Sequence, residues 1–143
     1  MNFAFASIPA MAVAVASSDT FASEIGCLDD NVRMITTMKP CEPGMNGGFS
    51  PSGQKAAFAG SSMIAVLAFF AWMATNADVD TLQIGLQKTA LVVIIGWLGC
   101  QMDSLLGAVF ENRVYLTKGG VHGISITCGM LAMWAILYSG LYV

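Results

Sequence analysis

The stretch ALVVIIGWLGCQMDSLLGAVFENR, Ala90 to Arg113, decides the fold. It carries no charge before Asp103 and is long enough, as a helix, to cross a bilayer whose hydrocarbon core takes about 20 apolar residues. At about 100° per residue, Gly96, Gly99, Cys100, Asp103, Gly107 and Glu111 fall on one side. Ile94, Ile95, Leu98, Met102, Leu105 and Val109 cover the other. The small and acidic side is expected to face protein and the bulky side lipid. Small residues at this spacing let helices approach closely, which explains the glycines. It does not explain Asp103, because a carboxylate at membrane depth costs several kcal/mol unless it is paired, hydrated or bound to an ion. Asp103 therefore reads as functional, with a polar clasp between helices as the alternative. Glu111 falls near the headgroups, where an acid beside Arg113 is ordinary.

Outward from this segment the chain keeps the same character. Of its 143 residues, 56% are hydrophobic and 10% charged, against about 25% charged in a soluble domain; the mean hydropathy is +0.69. Ala56 to Ala77 and Val121 to Val143 are also long enough to span. Met1 to Ala16 is a fourth apolar run if its helix continues through SSDTFASEIG, Ser17 to Gly26. A secretory signal is the weaker reading of that run, since no Lys or Arg precedes it and Pro9 lies inside it. The expectation is an all-α, polytopic transmembrane bundle of about four helices, a single domain over 1–143, with helices near 1–26, 56–77, 89–110 and 121–143. No internal repeat or strand pattern competes with it. In the turn between the second and third helices, Asp78 and Asp80 serve to start the next helix.

Charge sets the topology. Arg33, Lys39, Lys55, Arg113 and Lys118 lie in loops 27–55 and 111–120, against Lys88 alone in the loop between. The positive-inside rule places the two basic loops in the cytoplasm. Asp19, Glu24, Asp103, Glu111 and His122 then converge on one membrane face, under the Gly-rich loop 27–55. The net charge of −3 and the absence of a basic arm argue against nucleic acid. Cys27, Cys41, Cys100 and Cys128 match no zinc or haem spacing, and the two within apolar spans, Cys100 and Cys128, behave as small hydrophobes.

Asp19 and Ser23 share a helix face, with Glu24 about 140° further round from Asp19. These acids with Asp103 and Glu111 suit a hard cation such as Mg²⁺, which prefers carboxylate oxygens. Equally, Asp19 could cap a helix and Glu24 close a capping box. Loop KPCEPGMNGGFSPSG, Lys39 to Gly53, offers Asn46, Gly47 and Gly48 as an anion-binding nest, with Ser50 and Ser52 as further donors and Lys39 or Lys55 as countercharge. It is not a Walker motif, whose lysine and hydroxyl follow the last glycine directly. Carboxylates for a metal and a cradle for phosphate are the parts that phosphoryl transfer needs, and a lipid substrate would explain a site built into a membrane.

SSDTFASEIG, RMITTMKPCEPGMNGGFSPSG and GWLGCQMDSLLGAVFENRVYLTKGGVHGISIT, in this order, resemble the integral-membrane family DUF 92 that includes plant phytyl-phosphate kinase and animal transmembrane protein 19. The resemblance covers most of residues 14 to 130. It implies a kinase that converts an isoprenoid monophosphate to the diphosphate with a nucleoside triphosphate, CTP or ATP, as donor. Asp19, Ser23, Glu24, Asn46, Gly47, Gly48, Asp103, Ser104 and Gly107 match family motif positions. On chemical grounds Asp19, Glu24 and Asp103 are the candidates to hold Mg²⁺ or handle protons. Lys39, Asn46, Gly47, Gly48, Ser50, Ser104 and Gly107 are the candidates to bind substrate phosphate. Three features depart from the family pattern. Members usually carry further transmembrane helices before the acidic motif, so the chain resembles the C-terminal part of the family domain, with a missing N-terminal half or a second chain as partner. Met45 stands where Thr is usual, and His122 where Asn is usual. The competing classes are a transporter or channel component whose acids bind a translocated cation, and a structural subunit whose acids only pair with neighbours.

Overall fold

A computed structural model describes residues 3–74, 79–111 and 115–139. The described residues form an all-α bundle of four helices: α1 Phe3–Gly26, α2 Pro51–Met73, α3 Val79–Leu106 and α4 Lys118–Tyr138. A π-helical turn, Gly107–Glu111, extends α3. By length and composition, segments Pro51–Met73, Leu82–Phe110 and Lys118–Tyr138 can each cross a membrane.

The helices begin earlier than the apolar runs suggest, and their caps give the reason. Ser50 is extended and its hydroxyl accepts from the Gly53 amide at 3.1 Å, with Pro51 at the first helical position, where a missing N–H costs nothing. Thr117 caps α4 in the same way, accepting from the Gly120 amide at 3.2 Å. Likewise, α3 starts at Val79, well before its apolar run. The side chains of Asp80 and Glu111, and all of Asp78 and Arg113, lie outside the described residues.

The first helix is the centre of the bundle and packs against each of the other three. Met11, Ala14 and Val15 of α1 meet Ala65 of α2, Val92 and Ile95 of α3 and Met133 of α4 in one apolar cluster. Two serines fix the rotation of α1 against α2: Ser18 donates to the Ala57 carbonyl at 2.7 Å and Ser17 to the Gly60 carbonyl at 3.3 Å. Gly60 permits this approach, since a Cβ there would stand 2.8 Å from the Ser17 carbonyl oxygen.

Along α3 and its π-helical extension, Gly96, Gly99, Cys100, Asp103 and Gly107 are all buried, while Ile94, Leu98 and Leu105 are exposed. Ile95 departs from the expected lipid face and is buried in the core. The outward faces of α2 and α4 carry Phe58, Leu67, Phe70, Leu131 and Trp134, the arrangement expected where the solvent is lipid.

Between α1 and α2 the chain makes a short antiparallel ribbon, β1 Arg33–Met34 with β2 Gly48–Phe49. Its far turn places Met38 at φ 55°. Asp29 ties the two ends of this loop together, accepting from the Ser52 hydroxyl at 2.8 Å and the Ser52 amide at 3.1 Å.

Candidate functional site

Three helices bring three ionisable groups to one end of the bundle. Asp19 comes from α1, held in rotation by its neighbour Ser18; Asp103 from the buried face of α3; and His122 from the first turns of α4. The His122 Nδ1 lies 3.2 Å from Asp103 Oδ1 and 3.6 Å from Asp19 Oδ2. One donor atom from each residue falls within 4.8 Å of the others. The side chains of Asp19 and Asp103 are only 19% and 12% exposed, and that of His122 30%.

Beside these acids a cavity of about 110 Å³ opens under the glycine loop. Asp19, Ser23, Asp103 and Ser104 line its helical wall, and Asn46, Gly47, Gly48 and Ser50 its loop wall. Gly107 and Lys118 are also among its lining residues. Trp97 helps hold α3 to α2 near this wall, its Nε1 donating to Gln54 Oε1 at 3.1 Å.

Gly47 is what lets the loop reach the helix. It adopts φ +83°, and a Cβ on it would stand 2.4 Å from the Ala108 Cβ and 3.0 Å from the Ser104 carbonyl oxygen. Its own carbonyl accepts from the Ile35 amide at 2.9 Å. The Gly48 amide donates to the Met45 carbonyl at 2.9 Å, so that N–H closes a turn. Ser50 Oγ is engaged too, accepting from Gly53 and donating to the Gly26 carbonyl at 3.4 Å. Of the expected cradle, then, Gly48 and Ser50 line the cavity but spend these groups on the loop and the helix cap.

The structure does not bring every candidate together. Glu24 is exposed and outside the cavity lining, consistent with its angular distance from Asp19 on the helix. Lys39 is exposed in the far turn of the loop, and the cation on the cavity lining is Lys118. Three residues stand outside the candidates named from the sequence: His122, placed there only on the same membrane face, Lys118 and Asp29. Lys118 opens α4 just after a Thr cap, which is a legible signal. Asp29 has no such signal, because a loop acid among polar residues is ordinarily solvated. Its carboxyl is held below the ordinary value of 3.8 by hydrogen bonds from the Asn31 amide and then from the Ser52 hydroxyl and amide.

Three membrane-length helices, with a part-buried acid pair and an imidazole at one end of the bundle, define a polytopic helical integral-membrane protein. The chain belongs to the family described as integral membrane protein DUF92, whose model matches residues 2–133. It is 33% identical over 100 residues to Protein PGR of Arabidopsis thaliana, covering 68% of this chain and 35% of that protein. It is 30% identical over 127 residues to an uncharacterized membrane protein of Methanocaldococcus jannaschii, covering 81% of this chain and 49% of the relative. An uncharacterized membrane protein of Synechocystis is 28% identical over 114 residues, with 78% and 40% covered. The chain thus spans between a third and a half of the length of these relatives. No solved structure matches it significantly.

Proposed function

We propose that the chain forms the catalytic part of a membrane phosphotransferase that converts an isoprenoid lipid monophosphate, such as phytyl phosphate, to its diphosphate. The observation that carries this reading is that Asp19 and Asp103 line one cavity together with Asn46, Gly47 and Lys118. Phosphoryl transfer calls for positioning and for neutralisation of phosphate charge rather than for a dedicated nucleophile on the protein. An oxygen of the lipid monophosphate attacks the γ-phosphorus of a nucleoside triphosphate, CTP or ATP. The bond from that phosphorus to the β-phosphate oxygen breaks, and the nucleoside diphosphate leaves.

In this reading Lys118 and the Asn46 side chain hold phosphate oxygens, and Gly47 keeps the loop close enough to α3 for them to do so. Asp19 and Asp103 are the residues that would hold a divalent cation, since paired carboxylates are oxygen donors of the kind such ions take. That cation would neutralise charge on the phosphates. The isoprenoid tail would lie along the apolar exterior of the helices, and loops 27–55 and 111–120 would face the cytoplasmic nucleotide.

Membranes carrying the protein, given phytyl phosphate, CTP or ATP, and Mg²⁺, are expected to yield the diphosphate. Asp103→Asn is expected to slow this by about a hundredfold or more. An unchanged rate would remove Asp103 from the mechanism, and no product from any isoprenoid monophosphate with either nucleotide would overturn the reading.

A further inference from the structure

We infer that Asp19, Asp103 and His122 form a single-ion centre that prefers a divalent transition-metal ion to Mg²⁺, with His122 Nδ1 as the ligand that sets the preference. The inference rests on the carboxylate pair of the proposed site but not on the reaction proposed for it.

The geometry of one nitrogen carries the argument. His122 Nδ1 faces oxygens of both carboxylates, at 3.2 Å and 3.6 Å. Ligand atoms bound at about 2.1 Å to one ion stand roughly 3.0–3.4 Å apart at octahedral or tetrahedral angles. The separations between Nδ1 and the two oxygens lie close to that range, and all three donors are already within 4.8 Å of one another.

Three separate helices supply the three donors, so the grouping does not follow from neighbouring positions on one helix. The donor set itself selects the ion. Mg²⁺ favours all-oxygen, water-rich octahedra, whereas imidazole suits first-row transition ions. Two carboxylates with one imidazole leave room in the coordination shell for water or a phosphate oxygen from the adjoining cavity. A divalent ion here would bring two positive charges to the two carboxylates.

The test uses the whole chain in lipid nanodiscs, stripped of metal with chelator, with Mn²⁺ as the probe. One Mn²⁺ is expected per chain, bound at least about tenfold more tightly than Mg²⁺ in competition, and its electron spin-echo spectrum is expected to show coupling to an imidazole nitrogen. His122→Asn is expected to weaken Mn²⁺ by about tenfold or more while leaving Mg²⁺ within a few fold. Equal affinities for the two ions in the unaltered chain, or an echo spectrum without nitrogen coupling, would overturn the inference without needing any variant to fold. Nitrogen-coupled Mn²⁺ in a protein that makes no diphosphate would leave the metal centre standing and remove only the reaction.

Discussion

At Gly47 two separate demands fall on one atom that is not there. The backbone is left-handed, and the space where a Cβ would go belongs to Ala108. Gly44 shares the first demand, at φ +86°, but has nothing within 4 Å of its missing Cβ. Gly44→Ala is therefore expected to cost only the left-handed penalty, about 1–2 kcal/mol. Gly47→Ala is expected to add an overpacking penalty of about 1–3 kcal/mol, and to lift the loop from α3. Thermal unfolding of the two variants in detergent measures the difference, and equal losses would mean that the loop does not lean on Ala108. Asp29 yields a pH effect at the same scale. Its folded pKa is depressed, so the stabilisation is complete above the ordinary value of 3.8 and is lost as pH falls through the lower folded value. Protection of the Ser52 amide from hydrogen exchange, corrected for intrinsic rates, is expected to fall below about pH 4. In Asp29→Asn it is expected to be low already at neutral pH and nearly flat.

Between helices, the seam of α1 and α2 is set by hydroxyls and by a missing side chain rather than by large apolar groups. Gly60→Ala would press a methyl to 2.8 Å from the Ser17 carbonyl oxygen and is expected to destabilise the bundle by about 1–3 kcal/mol. Ser18→Ala removes one interhelical hydrogen bond and is expected to cost only about 0.6 kcal/mol. Denaturation in mixed micelles orders the two, and the reverse order would deny the close approach. The same seam shows what the sequence can reveal. The buried side of α3 was legible because glycines and an acid recur at helical spacing amid bulky aliphatics. Ile95 was not, because a residue facing lipid and one facing core are equally apolar. Glu24 and Lys39 show a different limit: charge and loop composition say which end of the bundle a residue occupies, not which way it points. The early start of α2 was written in Ser50 and Pro51, a cap followed by a first-turn proline, but the same Ser also suits an anion-binding loop.

For the molecule as a whole, membrane character and family could be read directly, whereas which way the bundle faces depends on a charge rule. Cys27 is exposed in the loop between α1 and α2. With the other three cysteines replaced by serine, a membrane-impermeant maleimide is expected to label Cys27 only after cells are opened. Labelling of intact cells would reverse the orientation. The meeting of Asp19, Asp103 and His122 was legible only as convergence on one face, since their distances depend on how four helices rotate. Away from that site, Asp29 and Ser52 clasp each other at 2.8 Å, so the chain leaves the bundle and returns to it at nearly the same place. The ribbon between them is then a handle with a fixed grip, and its solvent-facing turn at Met38 and Lys39 is a natural port for a grafted epitope or fluorophore, added without shifting a helix.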